Sequence, residues 1–443
     1  MLTVSELASA YQRRELSPVE LTRGLLADIE ASTVNAYIAV FAEQALQEAR
    51  TAERELAAGR TLGPLHGVPI AIKDLINVAG HPTTMGSEQY VDFMPNEDAE
   101  VVSKLRRAGA IIIGKANTHQ FAYGSTGDRS HFGAVRNPHD ESRISGGSSS
   151  GSAAAVAAGL AYAAVGTDTS ASIRLPAALC GVVGMKATTG LISKKGVFAL
   201  SDTLDHVGPI TNSVRDNAVM LGIMATGAHE AYAGELGASI RGKIIGIPDS
   251  FYCDYLSPDV RQAVQASIEV LRDAGALIKP ISIKAINQIY DAQQLVLKTE
   301  AYALHEQALN AAAPYHEEVR ARLLTGRDVM AVDYLRAMRF QAQARQSFDE
   351  ALAEADVILT PTCGITAVPL EERNTPLAGQ PYLTPWLLTR LTAPTNFSGH
   401  PSLSVPFGKD ASALPIGVQL IGRHQGEAFV YGVAEILEQA QAA

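Results

Sequence analysis

Thirteen glycines fall between residues 124 and 208, and they cluster around two serine-bearing segments. Glycine reaches backbone conformations closed to other residues and lets chain segments approach closely. This stretch must therefore turn tightly, first at Ser145–Ser152 and again at Thr167–Ser172. It is preceded by two short apolar runs, Val68–Ile72 and Ala110–Ile113, suited to buried strands. Between them, Asp98–Gly109 has helical character, with Gly109 as its stop. Strand, helix, strand in that order predicts an α/β sheet.

The flanking regions are mostly helical in pattern. Thr3–Glu6 and Ser17–Glu20 are capping-box sequences, the second with proline at the first helical position. The first 60 residues read as helices, as do residues 285–355. Ser213 and Ser257 each open a further helix. Late strands are expected at Val357–Thr360, Ser402–Pro406 and Ile416–Ile421, and a last helix over Gly426–Ala442. No linker or repeat divides the chain, so one domain over 1–443 is expected. Its parts would be a helical segment (1–60), the core with the site (61–225), a largely helical part (226–355) and closing strands and helix (356–443).

Composition narrows the function. At 47% hydrophobic and 19% charged residues, the 443-residue chain can bury a large core. A net charge of −10 without a basic run argues against direct nucleic-acid binding. Cys180, Cys253 and Cys363 are odd in number and show no ligand spacing, which argues against a disulfide framework or a zinc site. The longest apolar stretch, Ala153–Val165, is 13 residues, against about 20 for a membrane span. No membrane association is expected, and a cytoplasmic location is.

Three elements could carry chemistry. Ser145–Ser152 runs into an alanine-rich helix start, where exposed N–H groups favour negative charge. It reads as a surface loop, a phosphate cradle lacking the P-loop lysine, or a serine nucleophile. Gly147–Gly151 matches G-x-S-x-G with Ser149 central, but the polar Asn137–Ile144 before it is not the buried strand a nucleophile elbow needs. In Gly166–Pro176, Ser172 sits in a tight loop whose N–H groups can converge as an oxyanion hole. Asp168 and Arg174 flank that loop as a structural ion pair. Lys73 ends an apolar run. If buried, its pKa falls and it can act as a neutral base.

Together these segments resemble the amidase signature family, whose members cleave amides with a Ser–cis-Ser–Lys triad. The resemblance spans Leu65–Asp74, Arg143–Ser149, Thr167–Pro176, Cys180–Lys186, Leu204–Pro209 and Leu414–Ile421. Ser148 lies 75 residues after Lys73 and Ser172 a further 24, the spacing expected for that triad. The resemblance implies a large mixed sheet with helices on both faces. It makes Ser172 the nucleophile, Ser148 the bridging serine after a cis Gly147–Ser148 bond, and Lys73 the base. Thr169, Ser170, Ala171 and Ser172 would supply oxyanion N–H groups. Phe121–Thr126 would line the substrate pocket, with Ala122 and Ser148 nearest the substrate. Ser170–Ala171 replaces the family's usual Gly-Gly, Ser150 stands for a usual glycine, and Ser145 for a common proline.

The leading expectation is therefore a hydrolase of linear carboxamides, needing no cofactor and no metal. The alternative is the amidase-like, glutamine-hydrolysing subunit of a transamidation or partner-dependent complex. A homodimer or a small accessory subunit is expected as partner. Nucleotide binding through the Gly/Ser loop is the weakest reading.

Overall fold

The computed structural model describes residues 2–442. Helices α1 (Val4–Gln12) and α2 (Pro18–Ala31) start where the caps predict. Thr3 makes both halves of its capping box, and Ser17 accepts from the N–H groups of Val19 and Glu20. A strand the helical pattern does not include, β1 (Tyr37–Val40), comes next, then α3 (Ala42–Ala57). The predicted strand–helix–strand unit is β2 (Pro69–Lys73), α4 (Glu100–Arg107) and β3 (Ile111–Ala116). Gly109 has φ +83 just past α4, the left-handed position expected of a helix stop.

The glycine-rich stretch contains a small hairpin, β4 (Arg136–Asn137) and β5 (Asp140–Ile144), then α5 (Ser150–Ala157), β6 (Ala163–Asp168), α6 (Arg174–Cys180), β7 (Val183–Lys186) and β8 (His206–Thr211). After it come α7 (Val214–Thr226), β9 (Ile244–Pro248), α8 (Pro258–Asp273) and β10 (Leu277–Ile281). The helical region holds α9 (Ile286–Asn310), α10 (Glu317–Leu324) and α11 (Ala331–Ala353). The chain closes with β11 (Val357–Pro361), a hairpin of β12 (Asn374–Leu377) and β13 (Gln380–Leu383), α12 (Thr384–Thr389), α13 (Ala393–Ser398), β14 (Ser402–Lys409), β15 (Pro415–Ile421) and α14 (Glu427–Ala442).

Eleven strands form one mixed sheet, in the order β1-β3-β2-β6-β8-β7-β14-β15-β11-β9-β10. β2 runs parallel to β3 and β6, whereas β8, β7, β14 and β15 follow in antiparallel pairs. The α/β architecture with a large mixed sheet expected from the sequence is thus what the chain forms. Strand alternation divides the core between the two faces. On β11, Val357 and Leu359 join one apolar cluster and Ile358 the other. On β2, Ile70 and Ile72 pack in the largest cluster, while Ala71 packs in the one built on α5.

β2 and β6 are buried along their whole length, and both lie in the interior of the sheet. Their C-terminal ends bring Lys73 and Thr167 together. Among the described residues, no helix is long and apolar enough to cross a membrane.

Candidate active site

Lys73 is fully buried at the end of β2. Its Nζ donates to Ser148 Oγ and to Thr167 Oγ1, each at 2.7 Å. Burial pushes its pKa down to about 7, against the opposing pull of the Asp168 and Asp205 charges. Lys115, its neighbour in the sheet, is equally buried but differently used. It stands 3.2 Å from Asp74 Oδ1 and donates to Ile76 O and Thr83 Oγ1. Of these two lysines, Lys115 has a carboxylate beside it, whereas both hydrogen-bond partners of Lys73 are hydroxyls.

Ser148 lies just before α5, after a cis Gly147–Ser148 bond. Its carbonyl accepts from Thr118 Oγ1 at 2.9 Å and from the His119 N–H at 3.3 Å. A Cβ on residue 147 would come within 2.8 Å of Gly124 O and 2.9 Å of Gly127 N, so the close approach of the 124–127 loop requires glycine there. At residue 151 a Cβ would lie 2.3 Å from Ala36 O, where α5 starts against the end of β3. Ser149 is a structural residue: its hydroxyl donates to Thr167 O and accepts from Thr167 N.

The segment Thr169–Ser172 links β6 to α6. Ser172 is buried, and its carbonyl accepts from the Ser149 N–H at 3.2 Å, which ties the two serine loops together. Asp168 anchors the loop from below, its Oδ2 taking the N–H groups of Ile173 and Arg174. Arg174 meets both Asp168 oxygens at 3.0 Å. Burial opposes charge on Asp168, but the Arg174 guanidinium and the Asn396 amide hold its carboxyl well below the usual range. The remaining Arg174 donors reach Thr392 O, Thr395, Ser402, Gln419 and Asn396, so the pair is fully hydrogen-bonded.

Two loop contacts had no place in the sequence reading. Thr169 Oγ1 donates to Asp205 Oδ1 at 2.6 Å, and burial pushes the Asp205 carboxyl up to about 6. Gln293, fully buried on α9, donates to Thr169 O at 3.1 Å and to Ser170 Oγ at 2.9 Å. The serine at a usual glycine position thus has a dedicated partner. Thr167 and Asp205 lie inside motif segments and could have been singled out. Gln293 lies 123 residues beyond Ser170 and carries no local signal.

A cavity of about 560 Å³ opens over the loop, with Thr169, Ser170, Ala171 and Ser172 in its wall. Ala122, Tyr123, Gly124 and Ser125 form another part of that wall. Two members of the expected 121–126 lining fall outside it. Phe121 has φ +53, and its ring is buried among Tyr90, Phe198, His305 and Tyr315. The buried Thr126 hydroxyl donates to Asp128 Oδ1 at 2.6 Å. The outer wall comes from the helical region, the residue before β12 and the β13–α12 segment, including Tyr290, Leu297, Arg322, Arg373 and Trp386. Arg322 stacks over the Tyr123 ring with its guanidinium carbon 5.5 Å from the centroid.

The Amidase family model matches residues 20–430. A glutamyl-tRNA(Gln) amidotransferase subunit of Geobacter metallireducens is 38% identical over 480 aligned positions, covering 100% of this chain and 97% of the relative. A crystal structure of an amidase superposes with a TM-score of 0.93 at 33% identity, covering 99% of this chain and 100% of that one. The glutamyl-tRNA(Gln) amidotransferase subunit of the same designation from Thermotoga maritima superposes with a TM-score of 0.81 at 32% identity, over 99% and 94% of the two chains. Buried lysine, paired serine loops and end-to-end similarity agree, and the chain belongs to the amidase signature family.

Proposed function

We propose that the chain cleaves the C–N bond of a primary carboxamide through an acyl-enzyme on Ser172, releasing ammonia. The observation that carries this reading is Lys73 Nζ at 2.7 Å from Ser148 Oγ, in a loop bonded directly to the one bearing Ser172. Neutral Lys73 takes the Ser148 proton as Ser148 takes that of Ser172, and Ser172 Oγ attacks the amide carbonyl. Thr169, Ser170, Ala171 and Ser172 line the cavity, and their N–H groups would hold the carbonyl oxygen as it becomes negative. The proton returns through Ser148 to the departing nitrogen, and water then releases the carboxylate by the same relay.

Two settings share this chemistry. The curated relatives, subunits of glutamyl-tRNA(Gln) amidotransferase matched over the whole chain, favour a glutamine-hydrolysing subunit that works with partner chains. Arg322, in the cavity wall beside Tyr123, suits an amide substrate that carries a carboxylate, as glutamine does, whereas Arg373 in the same wall is held by Asp128 and Glu318. The closer superposition on a protein described simply as an amidase supports the second reading, a free-standing carboxamide hydrolase.

The test is ammonia release from the purified chain with glutamine, aliphatic amides, aryl amides and urea derivatives, beside Ser172→Ala. Loss of all turnover in Ser172→Ala is expected, and unchanged turnover would overturn the assignment. Glutamine hydrolysis that appears only with co-purified native partners selects the subunit reading. Full activity of the isolated chain on other amides selects the free amidase.

A further inference from the structure

Asp349 of α11, His400 in the turn after α13 and His424 after β15 each offer one ligand atom within 4.8 Å of the others. None of the three lines the cavity described above. His400 Nε2 stands 3.1 Å from Asp349 Oδ1, and His400 Nδ1 stands 3.1 Å from Ser398 Oγ. The His400 and His424 rings lie 4.2 Å apart between centroids. The His424 ring hydrogen-bonds the backbone of Ser398, while its Nε2 is buried without any hydrogen-bond partner. A buried ring nitrogen left unpaired costs free energy and calls for an explanation.

We propose that Asp349, His400 and His424 form a binding site for a divalent transition-metal ion, with Zn²⁺ the best match. Two imidazole nitrogens and one carboxylate oxygen are a borderline-soft donor set that suits zinc and leaves a fourth position for water. Calcium and magnesium call for oxygen ligands instead. The surroundings resemble a ligand-orienting shell. Ser398 holds the far nitrogen of His400 through its hydroxyl and the far nitrogen of His424 through its backbone.

A metal-binding imidazole must present a lone pair, and the buried, unpartnered His424 Nε2 is a nitrogen placed to do so. The basic side chains facing the two rings are Arg345 and Lys186. Lys186 is fully buried, and burial pushes its pKa well down. Arg345, exposed one turn before Asp349, is the positive charge the carboxylate offsets. On loading, the metal takes the His400 Nε2 lone pair, and that ring carries its hydrogen on Nδ1 toward Ser398 Oγ. No net proton is released from the ring. Asp349 is exposed, which gives the ion a route from solvent. The bound ion would pin three segments that are distant in sequence: α11, the α13–β14 turn and the β15–α14 loop.

The test uses the full chain stripped with a chelator and titrated calorimetrically with Zn²⁺ alone, with Tm read in parallel. One ion per chain and a raised Tm are expected for the unaltered protein. His424→Ala should lose the stoichiometric site. Asp349→Asn, at an exposed position that leaves the fold intact, should weaken binding at least about tenfold. Failure of the unaltered protein to bind one ion overturns the proposal, as does an affinity unchanged in both variants. Neither residue belongs to the amide-cleaving site, so amide hydrolysis should persist in both.

Discussion

Thr167 accepts a hydrogen bond from Lys73 Nζ at 2.7 Å, the same distance at which Lys73 reaches Ser148. Two hydroxyls hold the nitrogen beside Ser148, the proposed bridging serine, without supplying a counter-ion. Thr167→Val removes that second hold and leaves the volume nearly unchanged. A fall in kcat of about tenfold with little change in KM is expected, as for a group that positions a general base. Steady-state kinetics on the best amide substrate check it.

The proposed base must be neutral to act, so kcat/KM should rise with pH and level off above an inflection near 7, the value to which burial brings Lys73. The Asp205 charge raises the Lys73 pKa. Replacing Asp205 with Asn should therefore shift the rising limb to lower pH. A limb that stays in place, or moves to higher pH, would count against Lys73 as the titrating group. The pH–rate profiles of the two proteins decide the matter.

Ser172→Ala and Ser148→Ala should each lower turnover by at least about a thousandfold, since triad members act as a unit and their losses do not add. The double variant should be no worse than the worse single one. Ammonia release measures the rates, and circular dichroism checks that the folds are intact.

Gln293 grips the loop that carries the proposed oxyanion donors. Direct loss of such a donor costs about a hundred- to a thousandfold in kcat, so loss of its support should cost less, roughly tenfold. Gln293→Leu is expected to lower kcat by that amount while KM changes little. An equal effect on KM and none on kcat would mean that Gln293 merely shapes the cavity.

Arg174 and Asp168 form a buried, fully hydrogen-bonded pair, and removing one partner strands the other's charge. Arg174→Met should destabilise the fold by about 3–5 kcal/mol, read from urea unfolding. The Asp168 carboxyl is held below its unfolded value of 3.8. Its contribution is therefore complete above that pH and is lost as pH falls toward the lower native value.

The residues proposed to cleave the amide are legible because each sits inside a contiguous motif: Lys73 at a strand end, Ser148 before a helix, Ser172 in a short loop. The walls around them are not. Gln293, Arg322 and Trp386 reach the cavity from elements whose local patterns say only helix or turn. β1 escaped notice because four residues between two strong helices give no alternation to read, and its pairing with β3 is a tertiary event. Phe121 was expected beside the substrate. Its left-handed backbone turns the ring into an aromatic cluster instead, a choice set by partners as distant in sequence as Tyr315. The Asp349, His400 and His424 group is equally nonlocal, with no ligand spacing along the chain.

The Arg174 hydrogen bonds also have a meaning in time. The guanidinium is completed by Gln419, 245 residues later in the chain. A ribosome adding about 5–20 residues per second needs on the order of ten seconds or more to make that stretch. Until then, the loop carrying Ser172 lacks its anchor. Nascent or truncated chains that already contain Lys73, Ser148 and Ser172 should therefore remain inert toward the amides around them, and competence should arrive with the last strands of the sheet.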